Sequence, residues 1–532
     1  MPGGAKKSLN AGPRPRQNAP VKHDNADVHA HVRVLCGLAA NTALPPELVD
    51  RLIELAVPDA DFTDYLADRP DLTHGQALAL YARAPETGAG LAREGLLTAE
   101  DVDPAADPDT ALALLDEGRG DPEWARVLAA DPDSWRRRRL TECAGLPPEV
   151  VETLAADPDV QVVGELAQWT TDPELATRLA AHPHAEVRQW LAWNEAAPPA
   201  VLAALLDGKE LPPIRQCMVC DGGEGTDCDP PPDAVCAGTH ESAVDGIRHA
   251  ALRNPATPTE AVLPFADHPA THLRWALAER PDLPPEVCRR LATDPDARIR
   301  ACLAENPVID DTLMRVLAED EDQDVRRHLA HNPGVPLDVL VRLATTTRLG
   351  AELPPRVEAA SPAEVEKLAH STDSAVRSLV ALRRDLPADI RDALATDPDA
   401  KVLKTIAPHP GLSEARLRAM VDRHGVRVLA AVAANPDASG ALLEDLACHR
   451  PPVQKAFREI ARHPHATPGA LLACLGDARD VRARAVAAAH PALPPPAIVE
   501  LLADDDEGVA EAAASNPSLP RAVMRSLLPQ RP

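Results

Sequence analysis

Aromatic side chains are nearly absent from this chain: 3 Phe, 2 Tyr and 6 Trp among 532 residues. A core without rings must be filled by Leu, Val and Ala. Such small side chains suit thin layers of short, closely stacked helices better than a wide globular interior. No apolar run reaches the length of a membrane span or a signal-peptide core, so we expect a cytoplasmic protein that does not engage a membrane. The sequence has no phosphate-binding Gly-Lys-Ser/Thr loop, no Gly-x-Ser-x-Gly elbow and no His-Glu-x-x-His pair, and no enzymatic activity is expected. Positive charge is scarce too. Lys and Arg total 55 against 82 Asp and Glu, a net charge of −27. That excess repels a phosphate backbone, disfavours general nucleic-acid binding and leaves room for basic partners. The first 22 residues are a local exception, with Lys6, Lys7, Arg14, Arg16 and Lys22 and no acid. We read residues 1–27 as a disordered basic tail.

What the chain has is a period. Arg248, Arg274, Arg300 and Arg326 are each 26 apart, as are Pro255, Pro281, Pro307 and Pro333. A fixed short period is the signature of a solenoid, whose units bury their apolar faces only against their neighbours, and the length accommodates about 18 units. One unit runs from Leu283 to Pro307. Its Leu-Pro-Pro-Glu-Val start suits a helix N-terminus, because proline loses nothing in the first turn and Glu286 complements the dipole. Val287 and Leu291 share a face. Asp294-Pro295-Asp296 stops this helix and caps a second, lined by Ile299 and Leu303 and closed by Asn306-Pro307. The Asp-Pro-Asp step recurs at Asp107, Asp131, Asp157 and Asp397 and fades over about 60–104, where Phe62, Tyr65 and Tyr81 stand. The expected divisions are N-terminal repeats over 28–206, an insertion over 207–246 and C-terminal repeats over 247–532.

The Leu-Pro-Pro-Glu-Val start, the Leu-Ala-x-Asp-Pro-Asp turn and the Val/Ile/Leu-Arg-x-x-Leu-Ala-x-Asn-Pro close together resemble the leucine-rich repeat variant family over about four-fifths of the chain. The resemblance implies an all-α fold, a right-handed solenoid alternating short α and 3-10 helices without the strand of ordinary leucine-rich repeats. It also implies a cysteine-ligated iron–sulfur cluster, which some members carry near the N-terminus. Here the clustered cysteines are internal, and the commonest period is slightly longer than the family's.

Those cysteines lie where the period is interrupted. From Arg188 to Arg248 is 60 residues, and the added length carries Cys217-x2-Cys220-x7-Cys228-x7-Cys236. A Cys-x2-Cys turn converges two sulfurs on one metal, and two more thiols complete a tetrahedral set. A [4Fe–4S] cluster, zinc and no metal at all remain open readings. His240 could replace a cysteine, but we read it as a solvated loop histidine. The remaining cysteines (36, 143, 288, 302, 448 and 474) read as small buried hydrophobes. Trp193 occupies a slot held by Arg253, Glu279 and Glu305 in other units, and we expect it to pack under the cysteine loop.

Arg188, Arg248, Arg274, Arg300, Arg326, Arg377, Arg427 and Arg482 recur about once per unit. Such a row could grip a peptide, an acidic groove or a phosphate backbone. The aspartates before each one favour Arg–Asp pairs between repeats instead. Trp135 and Arg136–Arg139 form the one basic patch inside the array. The function expected is a non-enzymatic scaffold for an unidentified protein partner, carrying the cysteine site. An alternative is a redox-responsive or electron-transfer protein built on a [4Fe–4S] cluster, and a weaker one is nucleic-acid binding along the arginine row. Nothing in the sequence specifies an oligomeric state.

Overall fold

The computed structural model describes residues 26–220, 240–476 and 479–529; Lys6 to Lys22, Cys228 and Cys236 lie outside them. The expected all-α solenoid forms, with thirty-five short α-helices and no strand among the described residues. In the unit read above, the helices are Pro285–Leu291 and Ala297–Glu305. Val287, Leu291, Ile299 and Leu303 are all buried. The aspartates divide the work of the turn. The Asp294 carboxylate accepts from the Asp296 amide (2.9 Å), and the Asp296 carboxylate accepts from the Arg298 amide (2.9 Å), capping the second helix.

The Asn-Pro close does more than end a helix. A residue before proline is held extended, so Asn306 (φ −68°, ψ 125°) leaves the helix and turns its side chain toward the preceding unit. Its Nδ2 donates to the Ala278 and Arg280 carbonyls at 2.8 and 2.7 Å. Asn332 repeats this toward Ala304 and Asn306, Asn435 toward Ala407 and His409, and Asn516 toward Ala488 and His490. His409, His463 and His490 stand in for asparagine, each reaching a carbonyl one unit back. Arg69 and Arg280 do the same with a guanidinium. A line of buried N–H donors thus stitches second helix to second helix.

That line does not stop at the chain's ends. Asn41 donates to Ala514 O (2.9 Å) and Asn516 O (2.8 Å), the bonds an ordinary unit makes to its predecessor. Helix Ala26–Ala40 packs on Glu507–Ala514, Arg33 pairs with Glu511 at 3.5 Å, and the Tyr65 hydroxyl reaches the same carboxylate at 3.1 Å. Arg51 donates to the Pro529 carbonyl. The helices cross so closely that a Cβ on Gly37 would stand 2.1 Å from the Glu511 carbonyl oxygen. The first unit is therefore the successor of the last, and the solenoid closes into a ring.

Second helices pack more closely on one another than first helices do, so they form the concave wall. About eighteen of them at about 9 Å spacing describe a circle about 50 Å across, leaving about 40 Å clear inside. The wall is thinnest, among the described residues, at one place. Between Leu337–Thr346 and Pro362–Ala369 the inner helix shrinks to the four residues Pro355–Glu358.

The α/3-10 alternation that the resemblance implies gives way to α-helix on both sides of most turns. Among the described residues 3-10 helix is confined to Pro85–Thr87, Ala99–Asp101, Leu263–Asp267 and Gly425–Arg427. Segments of seven to ten residues such as Pro148–Ala155 and Val160–Trp169 are long enough for 5→1 bonding, which is better aligned than the 3-10 pattern. In the faint repeats the aromatic residues are integrated, Phe62 in the core and the Tyr81 hydroxyl on Asp107 at 2.8 Å.

Two outcomes follow. Asn332→Ala, which strips the donor from two buried carbonyls, should cost about 2–3 kcal/mol in a denaturant titration, and Asn332→His should recover most of it; equal losses in both would show that the donor is not what matters. Gly37→Leu should open the ring and raise the radius of gyration in small-angle scattering. Gly75→Ala, whose added Cβ meets nothing within 4 Å, should leave it unchanged.

Candidate functional site

The insertion leaves the ring after Pro199–Asp207, turning on Gly208 (φ 68°). It runs back to the turn before helix Ala185–Trp193. Arg215 N donates to Pro183 O (2.9 Å) and Ala185 N to Gln216 O (3.0 Å), closing a parallel bridge between His184 and Gln216. Leu211, Ile214 and Val219 rest on the core. Pinned in this way, the chain makes a tight turn in which Cys220 N donates to Cys217 O (2.9 Å). Beyond residues 221–239, His240 opens helix Glu241–Arg253, which takes the next place in the wall: Asn254 donates to Ala192 O and Asn194 O at 2.9 and 2.8 Å. The ladder passes the insertion without a break.

Cys217, Cys220 and His240 converge. The two sulfurs are 3.6 Å apart, and Cys220 Sγ lies 3.8 Å from His240 Nδ1. All three ligand atoms fall within 4.8 Å of one another. Cys217 and His240 are buried and Cys220 is exposed. His240 has φ 53°, a left-handed conformation that costs a histidine strain, and it directs the ring toward the thiols. The geometry can be tested against each metal. Around one tetrahedral ion with Zn–S bonds of about 2.3 Å, thiolates stand about 3.8 Å apart. In a cubane each thiolate binds its own iron, and the sulfurs part by about 6 Å. The described donors fit a single ion. The reading of His240 as a solvated loop residue is overturned: it is buried, 8% exposed, against the thiols. Cys228 and Cys236, the other two expected ligands, fall outside the described residues.

The arginine row is assembled as inter-repeat pairs. Arg274 grips Asp294, Arg300 grips Asp320 and Arg377 grips Asp397, each bidentate through Nε (2.7, 2.8 and 2.6 Å) and a terminal nitrogen, with the third nitrogen on a turn carbonyl. Arg137 belongs to the row through Asp157, and Arg484 through Asp504. Arg482 and Arg427 are exposed and outside it, because the longer turns near them shift the register. Arg326 meets Thr347 Oγ1 (3.2 Å), and Arg248 meets Asp245 (3.3 Å). Arg188 is buried and bonded to His182 O (2.6 Å) and Pro212 O (2.8 Å): the insertion supplies a carbonyl where other units supply an aspartate. Burial holds its guanidinium below the ordinary value.

Trp193 is not beside the cysteine turn. It edges His249 (6.1 Å between ring centroids) and carries the Arg253 guanidinium over its face at 5.8 Å. His249 is about 13 Å along the helix from His240. Of the other cysteines, Cys36, Cys143, Cys288 and Cys474 are buried as expected, and burial pushes Cys36, Cys143 and Cys474 up to about 12. Cys302 is half-buried and Cys448 exposed, so those two do not fit the expectation.

These features define a ring-closed α-solenoid with a compact thiol–imidazole cluster at the N-terminal ends of its inner helices. Among solved structures, one titled as a leucine-rich repeat variant with a novel repetitive protein structural motif is similar to this chain, at 19% identity over 50% of this chain and 88% of that one, with a TM-score of 0.29. No family model and no curated protein matches the chain.

Protein purified without oxygen should contain about one zinc per chain, and Cys217→Ser/Cys220→Ser should lose it. The loss should speed tryptic cleavage at Lys209 and Arg215 about tenfold, as the segment they flank comes free. Stoichiometric iron with acid-labile sulfide would contradict a mononuclear site.

Proposed function

We propose that this protein is a non-enzymatic ring scaffold that holds a protein partner against one arc of its inner wall, with a single zinc ion fastening the insertion to the rim. The reading rests above all on where the tryptophans are. Four of the six are 37–51% exposed: Trp135, Trp169, Trp193 and Trp275. All four sit on second helices, in Ser134–Thr141, Val160–Trp169, Ala185–Trp193 and Thr271–Ala278. The core is aliphatic, and these indoles, gathered on neighbouring second helices, keep 37–51% of their surface exposed. Tryptophan is the side chain most enriched at binding hot spots, and grouped exposed apolar surface marks an interface. Cys217, Cys220 and His240, with a fourth donor from Cys228 or Cys236, would hold the zinc. Bound there, the ion supplies a structural cross-link between the turn at Cys217 and the helix at Glu241.

The arginine row supports this reading by subtraction. Its guanidinium groups are spent on aspartates in Arg274, Arg300 and Arg377, with side chains only 12–14% exposed, which leaves little to offer a nucleic-acid backbone. No helix among the described residues is long and apolar enough to cross a membrane.

A photo-reactive side chain in place of Trp193 should cross-link a discrete protein in cells of the source organism, and the same group in place of Val316, exposed on the outer layer, should not. Equal yields from both positions, or none from Trp193 and Trp169 alike, would contradict the assignment.

A further inference from the structure

Where the inner wall thins to Pro355–Glu358, it leaves a cavity of about 1180 Å³ between the turn at Thr345–Ala351 and helices Ser374–Val380 and Ala400–Ile406. Arg348, Arg384, Lys401 and Lys404 line it, and no carboxylate does. A second hollow of about 830 Å³ shares Lys401 and Lys404 and adds Arg377, His424 and Arg427, with Asp399 its one acid. In a chain of net charge −27 this concentration is anomalous. Most of it is also unpaired. Elsewhere Arg137, Arg274 and Arg300 each hold an aspartate, and within the second hollow Arg377 holds Asp397. Among the described residues Arg348, Arg384, Lys401, Lys404 and Arg427 form no ion pair. Two buried polar atoms on the same walls, Ser378 Oγ and His424 Nε2, have no hydrogen-bond partner. Five like charges gathered around a single acid, Asp399, repel one another, and a multivalent anion relieves that repulsion.

We propose that this gap is a binding site for a small oligophosphate anion, with Lys401 and Lys404 between the two hollows and Arg348 and Arg384 closing on the anion from the cavity side. Two inner helices, Ala297–Glu305 and Gln323–Ala330, separate the site from the nearest of the exposed tryptophans, and it does not depend on the protein-partner reading. The cavity is large enough to admit a nucleoside beside the phosphates, and Leu349, Leu379 and Leu382 give it one apolar flank.

The test is calorimetric titration of the full chain at low ionic strength with two probes, sodium tripolyphosphate and ATP. Saturable binding of one equivalent is expected, weakened about tenfold or more by Lys401→Gln/Lys404→Gln and unaffected by Arg482→Gln, an exposed charge outside the gap. The melting midpoint of each unliganded variant checks that the ring is intact, and Arg348→Gln gives a second reading should the double variant fail that check. Equal affinity for the two probes identifies the anion alone as the ligand, and tighter ATP binding places the nucleoside in the cavity. No saturation by either probe below millimolar concentration would overturn the proposal. So would an equal loss in Arg482→Gln, which would mean diffuse charge attraction only.

Discussion

A side-chain N–H donor buried at the end of one inner helix, spanning two carbonyls of the helix before it, is the bond on which this architecture depends. Each such bond adds only about 1 kcal/mol net, but an unsatisfied buried carbonyl or amide costs about 1–3 kcal/mol. The penalty for misregister is thus larger than the reward for any one contact, and register is enforced unit by unit. The donor need not be asparagine. Histidine at 409, 463 and 490 and arginine at 69 and 280 reach the same kind of acceptor. What all of them share is a nitrogen donor on a residue that has just left a helix. Because the first unit carries the donor (Asn41) and the last offers the acceptors (Ala514 and Asn516), closure requires no new chemistry. The number of units and their spacing then set the bore.

The same constraint explains how the chain tolerates a long insertion. The Asn194-to-Asn254 link is made as if nothing intervened, so the added residues must leave and re-enter at one place on the rim. They do so at the N-terminal ends of inner helices, where the outgoing strand can borrow the Pro183 carbonyl and the Ala185 amide. The added sequence is rich in Gly and Pro and poor in large apolar residues, and a long loop is costly to order. The thiol–imidazole cluster at its two ends supplies the clamp, and Arg188 adds a second through Pro212. On helix Ala185–Trp193 the clamp sits at the N-terminal end and Trp193 at the C-terminal end, which separates what holds the insertion from that indole.

Much of the fold was legible because punctuation and periodicity state it directly. Asp-Pro-Asp at 294–296 gives a stop, a cap and an anchor for the preceding unit's Arg274; pairing of the row with aspartates was legible, but each arginine takes the aspartate 20 residues after it rather than those just before. Other features were present in the letters but not in the pattern. Asn306-Pro307 reads as a helix stop, and nothing in one unit says that its amide reaches the unit before. The His-Pro steps at 409, 463 and 490 look like scattered histidines until they are aligned with Asn-Pro. Closure was invisible, since it joins residues 41 and 516 and no local rule predicts the curvature of a stack. His240 was missed because a histidine just outside a glycine- and proline-rich loop has the composition of a solvated residue. Its left-handed backbone and burial are tertiary facts. The shift from Arg482 to Arg484 had a visible cause in the stretched final units, which change register by two residues.

Seen as a whole, the ring divides its surface by chemistry: an aromatic arc, a cationic gap where one inner helix is shortened, and an outer layer of paired charges. All three have fixed relative positions only if the ends meet. The most direct measurement is a dipolar electron-resonance distance between spin labels carried by non-natural side chains at Glu47 and Ala522, exposed residues that line one hollow across the junction. A closed ring gives a single narrow distribution at short range. A broad distribution extending to the width of the ring would mean an open superhelix, and the account of the bore would fall with it.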